Sequence, residues 1–312
     1  MSTQTTARAT RNKRAPAGNT QKFNDNTRPA MAFLAPFVGL YILFIIGPAI
    51  YGLVMSFFNT SLVKPGLSSF AGFGNYSEAL QSSDFWSSLW HTVWFTILTT
   101  PPLILLGLVL ALLADRVGRG RWFFRLAFFA PFILPSAVIA LIWIWIYTPV
   151  LGILQTALHT IGIGSPNWLG DVSWAMPSLA ITTIWWTLGF NFILYLAGLQ
   201  DIPRELYEAS AIDGAGPWQQ IRSITIPLLA RTTTLVAVLQ VIASLKVFDQ
   251  MYIMTAGGPN FSTRSVLQYI YDEGFTNFRV GYASALSMLF FLVVLAVSAV
   301  WFAIVRSQET EV

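Results

Sequence analysis

Six long apolar stretches constrain this chain more than any other feature. They occupy residues 32–58, 91–113, 126–147, 176–197, 232–251 and 282–305. Each reaches the roughly 20 residues that a helix needs to cross about 30 Å of hydrocarbon. Lipid offers no partner for open backbone groups, so such stretches must be helical. Only 10% of the 312 residues are charged and 55% are hydrophobic, whereas an average soluble domain is about 25% charged. A chain this poor in charge cannot cover a globule of its own size. The expected fold is an all-α integral membrane protein with about six transmembrane helices. Pro48, Pro101, Pro102, Pro131 and Pro135 fall inside the stretches, where membrane helices accept prolines as kinks beside cavities.

Residues 1–30 are polar, with six cations and Asp25 as the one anion. They read as a disordered basic tail. The apolar run that follows is too long for a signal peptide and lacks a small-residue cleavage site, so it reads as a retained first helix. The organisation expected is tail 1–30, transmembrane domain 31–306 and a short tail 307–312. Lys and Arg alternate in density from loop to loop: fourteen on the side of the N-terminus against three (Lys64, Arg264, Arg279) on the other. The positive side is cytoplasmic, which places both termini there. Aromatics of the opposite loops (Phe70, Phe73, Tyr76, Phe85, Trp86, Trp168, Trp174) suit the membrane–water interface.

Several classes are excluded. There is no cysteine, hence no disulfide framework, thiolate metal site or cysteine nucleophile. His91 and His159 lie on different segments, with no metal-ligand or triad spacing. No Gly-x-x-x-x-Gly-Lys-Ser/Thr occurs, so any ATP must be handled by a partner. The alternating cations form a topology signal and not a nucleic-acid footprint.

The 201–229 loop is unlike the others. Asp201 is placed to accept from the open amides of a following helix, with Pro203 in its first turn. Glu205 and Glu208 lie where the helix dipole favours anions. Gly214 suits a left-handed stop, Gly216-Pro217 a second helix start, and Pro227 its end. Two short helices with a glycine bend result. A hairpin lying on lipid would carry a basic face opposite bulky apolar residues. This segment offers the small patch Ala209, Ser210 and Ala211 and four carboxylates.

Glu208-Ala209-Ser210, Gly214 and Ile224-Thr225-Ile226-Pro227 resemble the EAA motif of binding-protein-dependent ABC importer permeases. Its order is Glu-Ala-Ala, three residues, Gly, nine residues, Ile, one residue, Leu-Pro; Ser210 and Ile226 are conservative departures. Phe70–Tyr76, 199–203 and 255–259 resemble the carbohydrate-uptake branch of MalF and UgpA type. The resemblance covers residues 30–305 and implies a sugar importer permease in a bacterial or archaeal cell membrane. It implies Glu208, Ala209, Ser210 and Gly214 as the surface docking on an ATPase, with Asp213 capping or pairing locally. The implied partners are a second, MalG-type permease, two copies of a MalK-type ATPase that bind ATP and Mg, and an extracytoplasmic solute-binding protein. This chain itself carries no cofactor. The extra N-terminal spans and large outer domain of the enteric maltose subunit are absent here, so their contacts do not carry over.

Solute needs polar groups at membrane depth. Thr183, Thr187 and Asn191 recur every four residues in the fourth stretch, and Gln240 and Ser244 do so in the fifth, each set sharing a helical face. Interhelical hydrogen bonding is the competing use. Trp186 and its neighbour Trp185 suit either stacking on a sugar ring or anchoring in lipid. Lys246 lies inside the fifth stretch, three residues before Asp249. A charge at depth is a functional candidate, and an internal pair is the simpler account. A di- or oligosaccharide is the expected solute. Glycerol phosphate or another small polar solute is the alternative, less favoured because no arginine lies inside a stretch. A stand-alone secondary transporter would carry intramembrane carboxylates or inverted repeats, and an intramembrane enzyme a catalytic constellation. Neither is evident.

Overall fold

The computed structural model describes residues 27–309, apart from 65, 118 and 119. Residues 1–26 of the tail expected as disordered lie outside the described residues, and its last four, 27–30, open the first helix instead. The chain divides into two units, Met1–Ile50 and Tyr51–Val312.

In the first unit, helix α1 (Thr27–Tyr41) passes through a π-turn, Ile42–Ile46, into the start of α2 (Gly47–Met55), whose residues from Tyr51 on belong to the second unit. Gly47 N–H closes the π-turn on the Ile42 carbonyl. Every side chain from Phe33 to Ile50 is exposed. So continuous an apolar surface is incompatible with water and is long enough to span lipid.

The second unit continues with α3 (Gly74–Gln81), α4 (Ser83–Asp115), α5 (Arg121–Ile133), α6 (Ser136–Tyr147), α7 (Ile153–Thr160) and α8 (Val172–Gln200). Then come α9 (Arg204–Ile212), α10 (Pro217–Gln220), a π-turn (Ile221–Thr225), α11 (Ile226–Leu228) and α12 (Ala230–Leu245). The unit closes with α13 (Asp249–Thr255), α14 (Val266–Tyr271), a π-turn (Asp272–Thr276) and α15 (Val280–Glu309). No strand occurs among the described residues, only two isolated bridges, Phe58–Phe70 and Ser61–Lys64.

Side-chain caps start the two long central helices. Ser82 Oγ accepts from Phe85 N–H at the head of α4, and Asp171 Oδ1 from Ser173 N–H at the head of α8, satisfying amides that a helix start leaves open. At 1.5 Å per residue α4 runs about 50 Å. Pro101 and Pro102 sit inside it without ending it.

Four helices are long and apolar enough to cross a membrane, or six if each of two bent pairs counts as one span. Two of the six expected spans are interrupted, the third span at the prolines expected to kink it. The third breaks at Leu134-Pro135 with a 97° bend between its halves. Pro135 supplies no amide and holds Leu134 extended, so α5 cannot continue. The fifth ends at Leu245, and α13 restarts at Asp249 after Phe248 at φ −142°, ψ −60°. Lys246 therefore sits on a helix end and not inside a span. At the other terminus α15 runs on to Glu309, into the segment expected as tail, because Arg306, Ser307, Gln308 and Glu309 contain no helix breaker.

Three apolar clusters hold the second unit together. One joins Ala111, Phe192, Leu196, Ile202 and Leu229 beside the 201–229 loop. A second joins Phe95, Tyr147, Leu179 and Met251 midway along the bundle. The third packs Phe85, Val266, Tyr269 and Leu286 at the end remote from that loop. Phe85 and Trp168, expected as interface aromatics, are buried core residues, whereas Phe70, Phe73 and Trp86 are exposed. At the remote end Arg264 is buried, with Asp84 2.8 Å from its guanidinium. Arg279 meets both oxygens of Glu78 at 2.6 and 2.7 Å. Burial opposes the Arg279 charge, but Glu78 and Glu273 outweigh it and raise its pKa.

Candidate functional site

The second unit brings two candidate sites into view: a cavity among the helices and the loop between α8 and α12.

The cavity has a volume of about 300 Å³. Its walls come from α4 (Phe95, Thr99, Leu103), α5 (Phe132), α8 (Thr183, Trp186, Thr187) and α12 (Gln240, Ser244). Its remaining wall is the interruption between α12 and α13, with Lys246, Phe248, Asp249 and Gln250. Six of the seven residues singled out in the sequence as a solute pathway thus face one space. Asn191 does not. It is fully buried, and a Cβ on Gly107 would lie 3.0 Å from its own Cβ. The reason is helical drift: four residues advance the face by about 40°. The stripe begun at Thr183 has therefore turned toward α4 by Asn191, whose amide oxygen and nitrogen have no hydrogen-bond partner among the described residues.

The threonine hydroxyls donate inward, Thr183 to the Leu179 carbonyl at 2.9 Å and Thr187 to the Thr183 carbonyl at 2.8 Å. That satisfies their protons within the helix and leaves their oxygens as acceptors. Ser244 Oγ likewise donates to the Val241 carbonyl at 3.1 Å. The two tryptophans separate. Trp186 lines the cavity with its Nε1 buried and unpartnered, while Trp185 is 44% exposed and meets Trp143 edge-on at 5.6 Å. Phe132 stacks against Phe190 beside Trp186.

The expected Lys246–Asp249 pair does not form: no ion pair joins them among the described residues. With α12 ended at Leu245 the two are not on one helical turn, and Asp249 Oδ2 instead accepts from Ser136 Oγ. This hydrogen bond links the restart after the break in the fifth span to the restart after the break in the third. Thr99, Phe132, Gln250 and Ser136 were not singled out from sequence. The Thr92-Thr96-Thr99 run was the signal available for the first of these; the others depend on the two breaks.

The 201–229 loop stands at one end of the bundle. Asp201 ends α8 and does not cap α9, whose N-cap position is Pro203 without a side-chain bond. The chain needs Ile202 in the apolar cluster below, which takes Asp201 away from the α9 amides. Glu205, Glu208 and Ala209 are exposed on α9, and Ser210 is half-buried. Gly214 N–H bonds the Ala211 carbonyl and Ala215 N–H the Ser210 carbonyl, with Gly214 at φ +83°. This is a Schellman stop, and its left-handed residue carries no Cβ. Asp213 is the C-cap, exposed.

Pro217 begins α10 at its first turn. Pro227 does not end the segment: the widened turn at Ile221–Thr225 admits a proline, and the chain stays helical to Leu228 before bending by 60° into α12. Polar contacts close the hairpin. Tyr207 Oη and Thr225 Oγ1 lie 2.9 Å apart, and Gln220 Nε2 donates to the Tyr207 carbonyl and to Ser210 Oγ. Two large apolar groups flank the bend in the open, Ile212 at 87% and Trp218 at 74% exposure. With Glu205 and Glu208 nearby on α9 they make this an exposed amphipathic surface.

Residues 103–308 match the family described as the binding-protein-dependent transport system inner membrane component. The chain belongs to that family. This permease is thus an integral membrane protein. It is 35% identical over 280 residues to the sulfoquinovosyl glycerol transport system permease protein SmoG of Agrobacterium fabrum, covering 90% of this chain and 91% of that one. It is 34% identical to the sn-glycerol-3-phosphate transport system permease protein UgpA of the same organism, covering 88% and 94%. It is also 34% identical to the trehalose/maltose transport system permease protein MalF of Thermococcus litoralis, covering 77% and 81%. The fold matches a chain of a bacterial alginate ABC transporter in complex with an alginate pentasaccharide-bound periplasmic protein. There the TM-score is 0.79 at 24% identity, with 90% and 94% of the two chains covered.

Proposed function

We propose that this permease is the membrane-spanning half of an ATP-driven importer for a sugar, expected as a di- or oligosaccharide. Glu208, Ala209, Ser210, Asp213 and Gly214 form its ATPase-coupling surface. Thr183, Trp186, Thr187, Gln240, Ser244 and Lys246 contact the solute. It pairs with a second permease of MalG type and with two MalK-type ATPase subunits, which bind ATP and Mg. A solute-binding protein delivers the sugar from outside, and both termini and the 201–229 loop are cytoplasmic.

The observation that carries this reading is the exposed hairpin at one end of the bundle, with Ile212 and Trp218 open beside Glu205 and Glu208. A membrane protein that worked alone would leave that surface without an occupant. The cavity supports the solute class, since threonine oxygens, an amide and an indole suit hydroxyls and a sugar face. The named relatives handle sulfoquinovosyl glycerol, glycerol phosphate and trehalose or maltose.

Tagged permease purified from its native membrane tests the coupling surface. The wild type is expected to carry an ATPase and a second permease; the Glu208→Ala, Gly214→Pro variant is expected to lose the ATPase. Wild-type chain that comes alone and moves solute into liposomes without ATP would overturn the importer reading.

A second reading has one observation in its favour. Lys246 faces the cavity with no ion-pair partner among the described residues, which suits an anionic solute such as glycerol phosphate. Transport competition between a neutral disaccharide and glycerol phosphate separates the two.

A further inference from the structure

The structure assigns Gln220 as a positioning residue that locks the docking helix α9 to the segment entering α12, with Ser210 as its specific acceptor. This rests on the coupling reading above.

Gln220 Nε2 lies 3.1 Å from the Tyr207 carbonyl oxygen and 3.0 Å from Ser210 Oγ. Both donors of its amide are thus used on α9. Ser210 Oγ in turn donates to the same Tyr207 carbonyl at 2.9 Å. Tyr207 Oη meets Thr225, which is buried, so a second tie runs from α9 to the π-turn. Ser210 occupies the place where the resembled motif carries alanine. Alanine offers no acceptor, and this chain supplies a hydroxyl opposite a glutamine that uses it.

The mechanical consequence follows from the connections. Between α9 and α10 the backbone passes through Gly214, at φ +83°, and Gly216, a bend with no Cβ at either glycine to stiffen it. Force applied to α9 by a partner would open this bend unless side chains fix its angle. Gln220 and the Tyr207–Thr225 bond fix it. Motion of α9 is then handed to α11 and α12, and α12 carries Gln240 and Ser244 of the cavity. Without the clasp α9 would still hold the ATPase, yet its movement would be absorbed at the bend.

The test uses the complete complex, with ATPase, second permease and binding protein, in liposomes. Gln220→Leu keeps the size and removes the donors. ATPase subunits are expected to co-purify with it in wild-type proportion, while ATP hydrolysed per solute moved rises about fivefold or more, the lower end of ordinary coupling effects. Ser210→Ala is expected to raise that ratio less, since the Tyr207 carbonyl remains, and to add nothing in the Gln220→Leu background. A purely structural role would give additive losses of both assembly and activity. An unchanged ratio in a Gln220→Leu complex that retains its ATPase overturns the clasp alone. If Gln220→Leu fails to assemble, Ser210→Ala, which restores the motif residue, decides by itself: an unchanged ratio overturns the proposal. Wild-type chain that binds no ATPase overturns the coupling reading and the clasp together.

Discussion

Gly189 of α8 faces the main chain of Phe128 in α5, and a Cβ on Gly189 would meet the Phe128 carbonyl oxygen at 2.0 Å. The two backbones are in direct contact. This is how the short first half of the broken third span is seated on α8, placing Phe132 one turn further on at the cavity. Gly189→Ala must push α5 away. Overpacking of this kind costs about 1–3 kcal/mol, and more where backbone must move. The detergent-solubilised complex is expected to lose thermal midpoint, read by intrinsic fluorescence, and solute KM is expected to rise as Phe132 shifts. An unchanged midpoint would mean that α5 is not seated as described.

Ser136 and Asp249 tie the two interrupted spans together. A hydroxyl donating to a carboxylate is worth about 1.5–3 kcal/mol. Ser136→Ala is expected to change transport rate while ATPase binding in co-purification stays intact, because the bond lies by the cavity and not at the 201–229 loop. Asp249→Asn, which keeps an acceptor, is expected to fall between Ser136→Ala and wild type. Loss of ATPase binding in either variant would contradict this separation.

Lys246 and Asn191 test the cavity wall from opposite sides. Lys246→Met removes the cation that faces the space; solute KM is expected to rise, and full transport with an unchanged solute range would remove Lys246 from the pathway. Asn191→Leu removes an amide with no partner among the described residues, and relieving an unsatisfied buried group of that kind recovers about 1–3 kcal/mol. Its expected outcome is unchanged KM with equal or higher thermal midpoint. A raised KM would place Asn191 on the solute route after all.

Ile212 and Trp218 are the most exposed large apolar groups of the hairpin. Truncating a buried aromatic anchor of an interface costs about 2 kcal/mol or more. Trp218→Ala is expected to weaken ATPase retention by at least about tenfold in a wash series, without changing the thermal midpoint of the permease alone. Retention equal to wild type would show that this side chain stays in solvent or lipid.

Much of this protein was legible in its sequence because membrane insertion and helix stops are local physics. A stretch of 20 apolar residues must be helical wherever it lies, so the six stretches, their all-α class and the glycine stop at Gly214 followed from residues alone. The Thr183–Thr187 and Gln240–Ser244 faces followed too, since a four-residue repeat fixes relative direction on one helix. Asn191 marks where that reasoning ends: over eight residues the drift of the helix decides which neighbour a side chain meets, and only α4 and its Gly107 reveal that neighbour. The same limit governs Lys246 and Asp249. Hydropathy sees an unbroken run through both, but the helix ends between them, and Asp249 finds Ser136, 113 positions away in the chain. The 97° bend at Pro135 was half visible, as a proline, while its consequence required knowing what packs against each half. The sequence by itself determined which segments are apolar and helix-forming; tertiary packing decided which polar groups share a cavity, because that depends on how helices distant in sequence are rotated against one another.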